Sequence, residues 1–280
     1  MNFIKMHGIG NDYVFIDCFE ETITEELSDL SRRISDRHFG VGSDGLILIE
    51  PSEKAPVRMR MFNSDGTEAE MCGNGLRCVA KYVFDQKKVE DTTFPIETGA
   101  GILTVEVTPG PDGLIEKVRI NMGQPRLRRN EIPMTGEPDA NAIGETIEIN
   151  GRRFQFTAVS MGNPHCVIFI DDDVSEFDLT LYGPQLEEHS LFPDRTNVEF
   201  VNRVNEGELI QRTWERGAGE TLACGTGASA VCVAGSLLKL TDRKVLIHLR
   251  GGDLELEWAE DGSIFKTGPA TEVFRGNWKE

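Results

Sequence analysis

The chain repeats itself, and an internal repeat limits the possible folds more tightly than any composition does. Gly10-Asn11-Asp12 leads into the apolar run Tyr13-Val14-Phe15-Ile16-Asp17, just as Gly162-Asn163-Pro164-His165 leads into Cys166-Val167-Ile168-Phe169-Ile170-Asp171. Each reads as a turn followed by a buried strand. Further along, Phe62-Asn63-Ser64-Asp65-Gly66 precedes Cys72-Gly73-Asn74-Gly75, and Trp214-Glu215-Arg216-Gly217 precedes Cys224-Gly225-Thr226-Gly227. Asn11 to Asn163, Asn63 to Glu215 and Cys72 to Cys224 are each 152 residues apart. Three landmarks at one offset define a duplicated domain, and 280 residues suit two domains of ~140 each. The expected halves are 1–122, with 266–280 returning to it, and 123–265. The polar, proline-bearing stretch 123–145 is the expected crossing between them.

Each Cys-Gly-x-Gly opens a helical pattern. Leu76, Val79, Ala80 and Val83 fall at i, i+3, i+4 and i+7, and 228–238 is almost wholly apolar, so both helices are expected to lie buried inside their halves. Segments 46–49, 102–107, 118–122, 198–204, 245–249 and 254–258 read as strands punctuated by Gly and Pro. An amphipathic helix is expected over 23–35, with Leu27, Leu30 and Ile34 on one face and Thr22 with Glu25 as a capping box.

Composition excludes several classes. A net charge of −18, from 47 acidic and 29 basic side chains, repels a nucleic-acid backbone. No apolar run approaches the ~18 residues of a membrane span, and the first residues lack the apolar core of a secretory signal, so a cytoplasmic location is expected with no membrane partner. Six cysteines are too sparse for a disulfide scaffold, and without a CxxC pair a zinc site is not expected: metal, none.

A duplicated cysteine points to stereochemistry. Halves related by a pseudo-twofold axis place equivalent residues on opposite sides of a cleft, and Cys72 and Cys224 are expected to oppose one another there. Inverting a tetrahedral carbon requires removing a proton from one face and returning one to the other, which a thiolate and a thiol do without a cofactor. Each cysteine precedes a helix start, where free N–H groups and the helix dipole, worth ~1 to 2 kcal/mol, are expected to lower a thiol by roughly one unit. Amides around Gly73-Asn74 and Gly225-Thr226 are expected to hold the substrate carboxylate as its charge grows.

With these residues assembled, the chain resembles the diaminopimelate epimerases over nearly its whole length. The resemblance rests on Met6-His7-Gly8-Ile9-Gly10-Asn11-Asp12-Tyr13, on Met71-Cys72-Gly73-Asn74-Gly75-Leu76-Arg77-Cys78 and on Gly162-Asn163-Pro164-His165. It is completed by Glu215-Arg216-Gly217 leading to Ala223-Cys224-Gly225-Thr226-Gly227. It implies an α/β (α+β) fold of two pseudo-symmetric domains, each a curved, mostly antiparallel sheet wrapped round a central helix. It further implies interconversion of LL- and meso-2,6-diaminopimelate without pyridoxal phosphate, in lysine and peptidoglycan precursor biosynthesis, by a homodimer. By motif, Cys72 and Cys224 are the acid and base, and His165 and Glu215 tune the thiols. Substrate contacts fall to Asn11, Asn63, Gly73, Asn74, Asn163, Asn197, Glu215, Arg216, Gly225 and Thr226, with Arg216 suited to the distal carboxylate. One departure is Gly45, where some relatives carry a glutamine.

Competing readings are weaker. Cys18, Cys78, Cys166 and Cys232 read as packing residues. Asn11 and Asn163 also suit turns, and Glu215 with Arg216 suits a structural ion pair. Proline and hydroxyproline racemases use a similar pair of cysteines but tend to have histidine after the first Cys-Gly, where Asn74 stands, and they lack the Met-His-Gly block. A non-catalytic ligand binder or redox switch, with Cys72 and Cys224 as a regulatory disulfide, is the alternative from another class.

Overall fold

The computed structural model describes residues 1–279 and divides the chain into two compact units, Met1–Asn121 with Thr267–Glu280, and Met122–Lys266. In the first, β1 (Asn2–Gly8), β2 (Asn11–Asp17), α1 (Leu27–Ser35), β3 (Gly45–Glu50), β4 (Arg58–Asn63) and β5 (Glu68–Ala69) lead to α2 (Gly73–Asp85). Then follow β6 (Thr93–Thr98), β7 (Gly101–Pro109) and β8 (Ile115–Asn121). The second begins with β9 (Glu145–Ile149) and then repeats the series. It runs through β10 (Arg152–Ser160), β11 (Pro164–Phe169), α3 (Leu179–Glu187), β12 (Asn197–Asn205), β13 (Glu208–Glu215) and β14 (Gly219–Thr221) to α4 (Gly225–Leu237). It continues with β15 (Lys244–Leu249), β16 (Gly252–Trp258) and β17 (Ile264–Gly268), before β18 (Thr271–Asn277).

The repeat extends to register. In the first unit β2 runs parallel to β3 with Tyr13 opposite Gly45; in the second β11 runs parallel to β12 with His165 opposite Asn197. The antiparallel pairs match too, Leu46 with Phe62 and Val198 with Trp214. Both pairs in the second unit are the first unit's pairs shifted by 152. The one rearrangement is at the flank: β10 is bordered by β9, which precedes it, whereas β1 is bordered by β18, from the far end of the chain.

The core follows from strand alternation. Leu46 and Leu48 pack with Leu30 and Ile34 of α1 on one face of β3, and Ile47 faces α2 on the other. In the second unit Val198 and Phe200 join an aromatic cluster with Phe154, Phe177 and Leu186, while Glu199 faces α4. α2 packs on β1, β2, β7 and β8, and α4 on β10, β11, β12, β15 and β16. Leu76, Val79, Ala80 and Val83 are wholly buried, as is Ala228 to Ala234 of α4, which is apolar nearly all round because its sheet surrounds it. Among the described residues no helix is long and apolar enough to cross a membrane.

Two local readings change. α1 begins at Leu27, four residues after the expected start: Glu26 is the N-cap, accepting from the Asp29 amide, and Glu25 pairs with Arg33 instead. A nearer carboxylate satisfies the free amides, so Thr22 has no cap to make. Helix α3 has no apolar period to announce it, since Gly183 and Pro184 lie inside it; Gly183 is there because a Cβ would meet the Trp214 ring at 2.6 Å. The stretch 123–145 is packed into the second unit, with Ile132, Met134 and Ala142 in its core.

Gly45 is set by the same packing. A Cβ there would lie 2.2 Å from the Phe62 carbonyl oxygen, a backbone atom held by the β3–β4 ladder. Replacing Gly45 with Ala or Gln should destabilise the chain by about 1 to 3 kcal/mol through overpacking, read as a fall in the thermal unfolding midpoint; an unchanged midpoint would show that the strand yields freely.

Candidate active site in two matched halves

In both units a β-turn, a strand and the first turn of the central helix meet at a cysteine. The β1–β2 turn is Ile9-Gly10, both with positive φ (49° and 88°), the backbone of a tight two-residue hairpin turn. For a β-branched residue such as Ile9 that conformation is strained by about 1 to 2 kcal/mol, and it delivers Asn11 to the head of β2. Cys72 is the N-cap of α2, in extended conformation. Its Sγ lies 3.3 Å from Asn11 Oδ1 and receives the Tyr13 hydroxyl at 3.5 Å. Asn74 Nδ2 donates to the same Asn11 oxygen at 3.1 Å, and Arg77, wholly buried, donates to Asn74 Oδ1 at 2.9 Å and to the Pro269 carbonyl at 3.0 Å. Asn11, Cys72 and Asn74 therefore form one network. Asn63 is held apart from it by Thr67 at 2.9 Å, and Gly73 supplies the first residue of α2.

The second half keeps the scaffold and changes the lining. Cys224 is the N-cap of α4 and accepts the Gly227 amide at 3.3 Å, a thiol capping its own helix; Thr226 Oγ1 lies 3.5 Å from the sulfur. Asn163 Nδ2 donates to Thr226 Oγ1 at 3.3 Å, and Asn163 Oδ1 lies 3.0 Å from His165 Nε2. His165 stands where Tyr13 stands in the first half, and its Nδ1 lies 2.8 Å from Glu199 Oε1. Asn197 is buried, donating to the Pro164 carbonyl and accepting the Arg216 amide at 3.0 Å. Glu215 accepts from Thr221, and the Glu215-Arg216-Gly217 turn is anchored by Glu187 of α3, which takes the Gly217 amide and the Trp214 ring N–H, each at 2.8 Å. The exposed Arg216 guanidinium donates to the Asp194 carbonyl at 3.0 Å, a geometry that leaves its fork able to reach an anion.

Electrostatics act strongly on the second thiol. Burial first, then the charges of Glu215 and Glu199, push the Cys224 thiol well above its usual range, against the opposing Thr226 hydroxyl and Gly227 amide. The lowering expected from the helix terminus is thus overturned at Cys224: taking a thiolate out of water outweighs what the dipole returns. Burial likewise pushes Cys18, Cys78 and Cys232 up to about 12 and raises Cys166, so these four pack as neutral thiols. Burial, reinforced by Cys72, also raises the Tyr13 phenol, which stays a hydrogen-bond donor toward the sulfur. The donor atoms of His165, Glu199 and Cys224 lie within 4.8 Å of one another, spacing that a soft divalent cation tolerates, but the His165 Nδ1 lone position is taken up by Glu199.

Sequence reading passed over Tyr13, Arg77 and Glu199. Glu199 carried a visible signal: it is the one charged residue in Asn197-Val198-Glu199-Phe200-Val201, a run otherwise patterned as a buried strand, at the position of Ile47 in the first half. Tyr13 carried none, because a tyrosine opening an apolar strand looks like packing.

The chain is thus a twice-repeated sheet-and-helix unit, each copy presenting an N-cap cysteine at the start of its central helix. The family model for diaminopimelate epimerase matches residues 3–128 and 157–273. A diaminopimelate epimerase of Bacillus cereus is 52% identical over 278 residues, covering 98% of this chain and 96% of the relative, and one of Moorella thermoacetica is 50% identical over 281 residues, covering 99% of each. The chain belongs to the diaminopimelate epimerase family. In fold alone it is similar to a PhzF-family phenazine biosynthesis protein of Bacillus anthracis, at TM-score 0.70 and 18% identity over 99% of this chain and 98% of that one. It is also similar in fold to a hydroxyproline epimerase of Agrobacterium vitis, at TM-score 0.64 and 14% identity over 99% and 90%.

The Tyr13 hydroxyl should assist the Cys72 thiolate. Tyr13→Phe is expected to slow iodoacetamide alkylation of Cys72 at pH 8 by about fivefold, in line with a hydrogen bond worth about 1 kcal/mol, while Cys224 labelling is unchanged; peptide mapping by mass spectrometry reads both, and an equal Cys72 rate in the variant rules out the contact.

Proposed function

We propose that this chain interconverts LL- and meso-2,6-diaminopimelate, with Cys72 and Cys224 as the two acid–base groups and no cofactor. The observation that carries the reading is the pair of N-cap cysteines in matched register, each at the start of a helix whose free amides await an anion. One sulfur, as thiolate, removes the α-proton; the other, as thiol, donates a proton to the opposite face, so the substrate changes configuration and the enzyme's proton count is conserved. Burial and the charges of Glu215 and Glu199 favour the neutral form of Cys224 in the free enzyme.

The α-carboxylate is assigned to the amides around Gly73-Asn74 and Gly225-Thr226. Preorganised donors of this kind must supply much of the acceleration, because acid–base catalysis alone contributes only ~10² to 10⁴. Asn11, Asn63, Asn163, Asn197, Glu215 and Arg216 are assigned to the rest of the substrate, with Arg216 on the distal carboxylate, and His165 and Glu215 to tuning the thiols. A reducing, cytoplasmic setting suits a chain whose six cysteines are all free. For the homodimer, the exposed apolar side chains Val273 and Phe274 of β18 are offered as part of the surface that meets a second copy.

Incubation of reduced enzyme with LL-diaminopimelate in heavy water should place one deuterium on the inverted α-carbon of the meso product. Serine at either cysteine should abolish that conversion with the fold retained by circular dichroism, and turnover at the normal rate in either variant would refute the two-thiol assignment. Arg216→Met should raise KM by about 10- to 100-fold, as expected for a charged hydrogen-bonded pair worth about 1.5 to 3 kcal/mol, with a smaller change in kcat; steady-state kinetics decide it, and an unaltered KM removes Arg216 from the distal carboxylate.

A further inference from the structure

The repeat supplies its own control for a residue the proposed chemistry has not used. Glu199 lies in β12 on the face turned to α4, fully buried, with Oε1 on His165 and Oε2 without a partner among the described residues. Burying a carboxylate with one oxygen unsatisfied is costly. The same position in the first half is Ile47. Its side chain would be 2.5 Å from a Cβ at Gly75, as Glu199 Oε1 would be from a Cβ at Gly227, so both side chains fill one niche against the first turn of a central helix. The scaffold therefore asks only for an apolar group there. Two equivalent positions differ together between the halves: Tyr13 and Ile47 stand in one where His165 and Glu199, which touch, stand in the other.

We infer that Glu199 is a positioning residue for the reaction: it holds the His165 ring and the proton on Nδ1, and through His165 it orders the chain that ends at Cys224. The inference rests on the reading of the site given above. The chain runs from Glu199 Oε1 to His165 Nδ1 (2.8 Å), from His165 Nε2 to Asn163 Oδ1 (3.0 Å), from Asn163 Nδ2 to Thr226 Oγ1 (3.3 Å) and from Thr226 Oγ1 to Cys224 Sγ (3.5 Å). An imidazole whose Nδ1–H is held by a carboxylate has one tautomer and one ring orientation at its other nitrogen. Both ring nitrogens face oxygen atoms, so Glu199 on one side and Asn163 on the other hold the ring in one orientation. Asn163 is thereby turned so that its amide group donates to Thr226, leaving the threonine hydroxyl hydrogen free for the sulfur.

The test uses the full-length enzyme with Glu199→Gln and Glu199→Ile, the second copying the first half's own side chain. Both should fold, with thermal midpoints near that of the unaltered enzyme. In both, kcat should fall about tenfold or more, a part of the ~10² to 10⁴ that a positioned acid–base array supplies, with a smaller change in KM, and Glu199→Asp should recover part of the loss. Ring ¹⁵N resonances of His165 should move from a single fixed state to a tautomer mixture in the Gln and Ile variants. A role through charge alone, in which removing the Glu199 charge favours the Cys224 thiolate, should speed alkylation of Cys224 while leaving the His165 resonances unmoved; that pair of outcomes overturns the inference. Unchanged kcat or unmoved His165 resonances in both variants overturn it as well. If the unaltered enzyme shows no epimerisation, the parent reading fails, while the ¹⁵N comparison still decides what Glu199 does to His165.

Discussion

The close approach of a central helix's first turn to the strand beneath it is the constraint on which the other features depend. Gly75 sits against Ile47 and Gly227 against Glu199, and in each case a single added carbon would collide. That contact brings the helix N-terminus, with its unpaired amides, down to the sheet surface, and leaves the preceding residue as the N-cap at the rim. Cys72 and Cys224 occupy those rims. Gly75 and Gly227 thus answer to packing, and the Cys-Gly-x-Gly pattern stands in both halves.

Around this contact the halves diverge, and the divergence is chemical rather than architectural. One cysteine is half-buried beside a phenol and two amide side chains; the other is almost fully buried beside a hydroxyl, with an imidazole and two carboxylates behind it. A mechanism that inverts a centre needs one group ready to accept a proton and one ready to donate. In the proposed two-thiol mechanism, unequal burial at the two equivalent positions distinguishes the groups without any change in backbone. Arg77 and Glu187 show how the scaffold sustains it: each is a buried charged residue whose hydrogen bonds fix a neighbouring asparagine or turn rather than reach toward a ligand.

Much of this was legible in the sequence. The 152-residue offset and the buried helices after each Cys-Gly-x-Gly follow from spacing and periodicity. The reason is that these features are local or are repeated, and repetition lets one half vouch for the other. What escaped is of the opposite kind. Helix α3 lacks a readable period because it carries a proline and a glycine, and the glycine answers to Trp214, far away in sequence. The start of α1 was decided by which of several acidic side chains reached the free amides.

The sequence by itself determined a duplicated α/β scaffold, two cysteines in equivalent glycine turns and the residue types around them, because hydrophobic period, turn chemistry and internal repetition are written along the chain. Only the tertiary structure decided the state of those groups. The helix dipole predicts a lowered thiol at Cys224, yet burial and the charges of Glu215 and Glu199 raise it. The sequence shows a glutamate in a strand, yet only the fold shows that its partner is His165 and that its counterpart is Ile47. Solvation and through-space charge depend on which distant segments close over a group, and no local pattern encodes that.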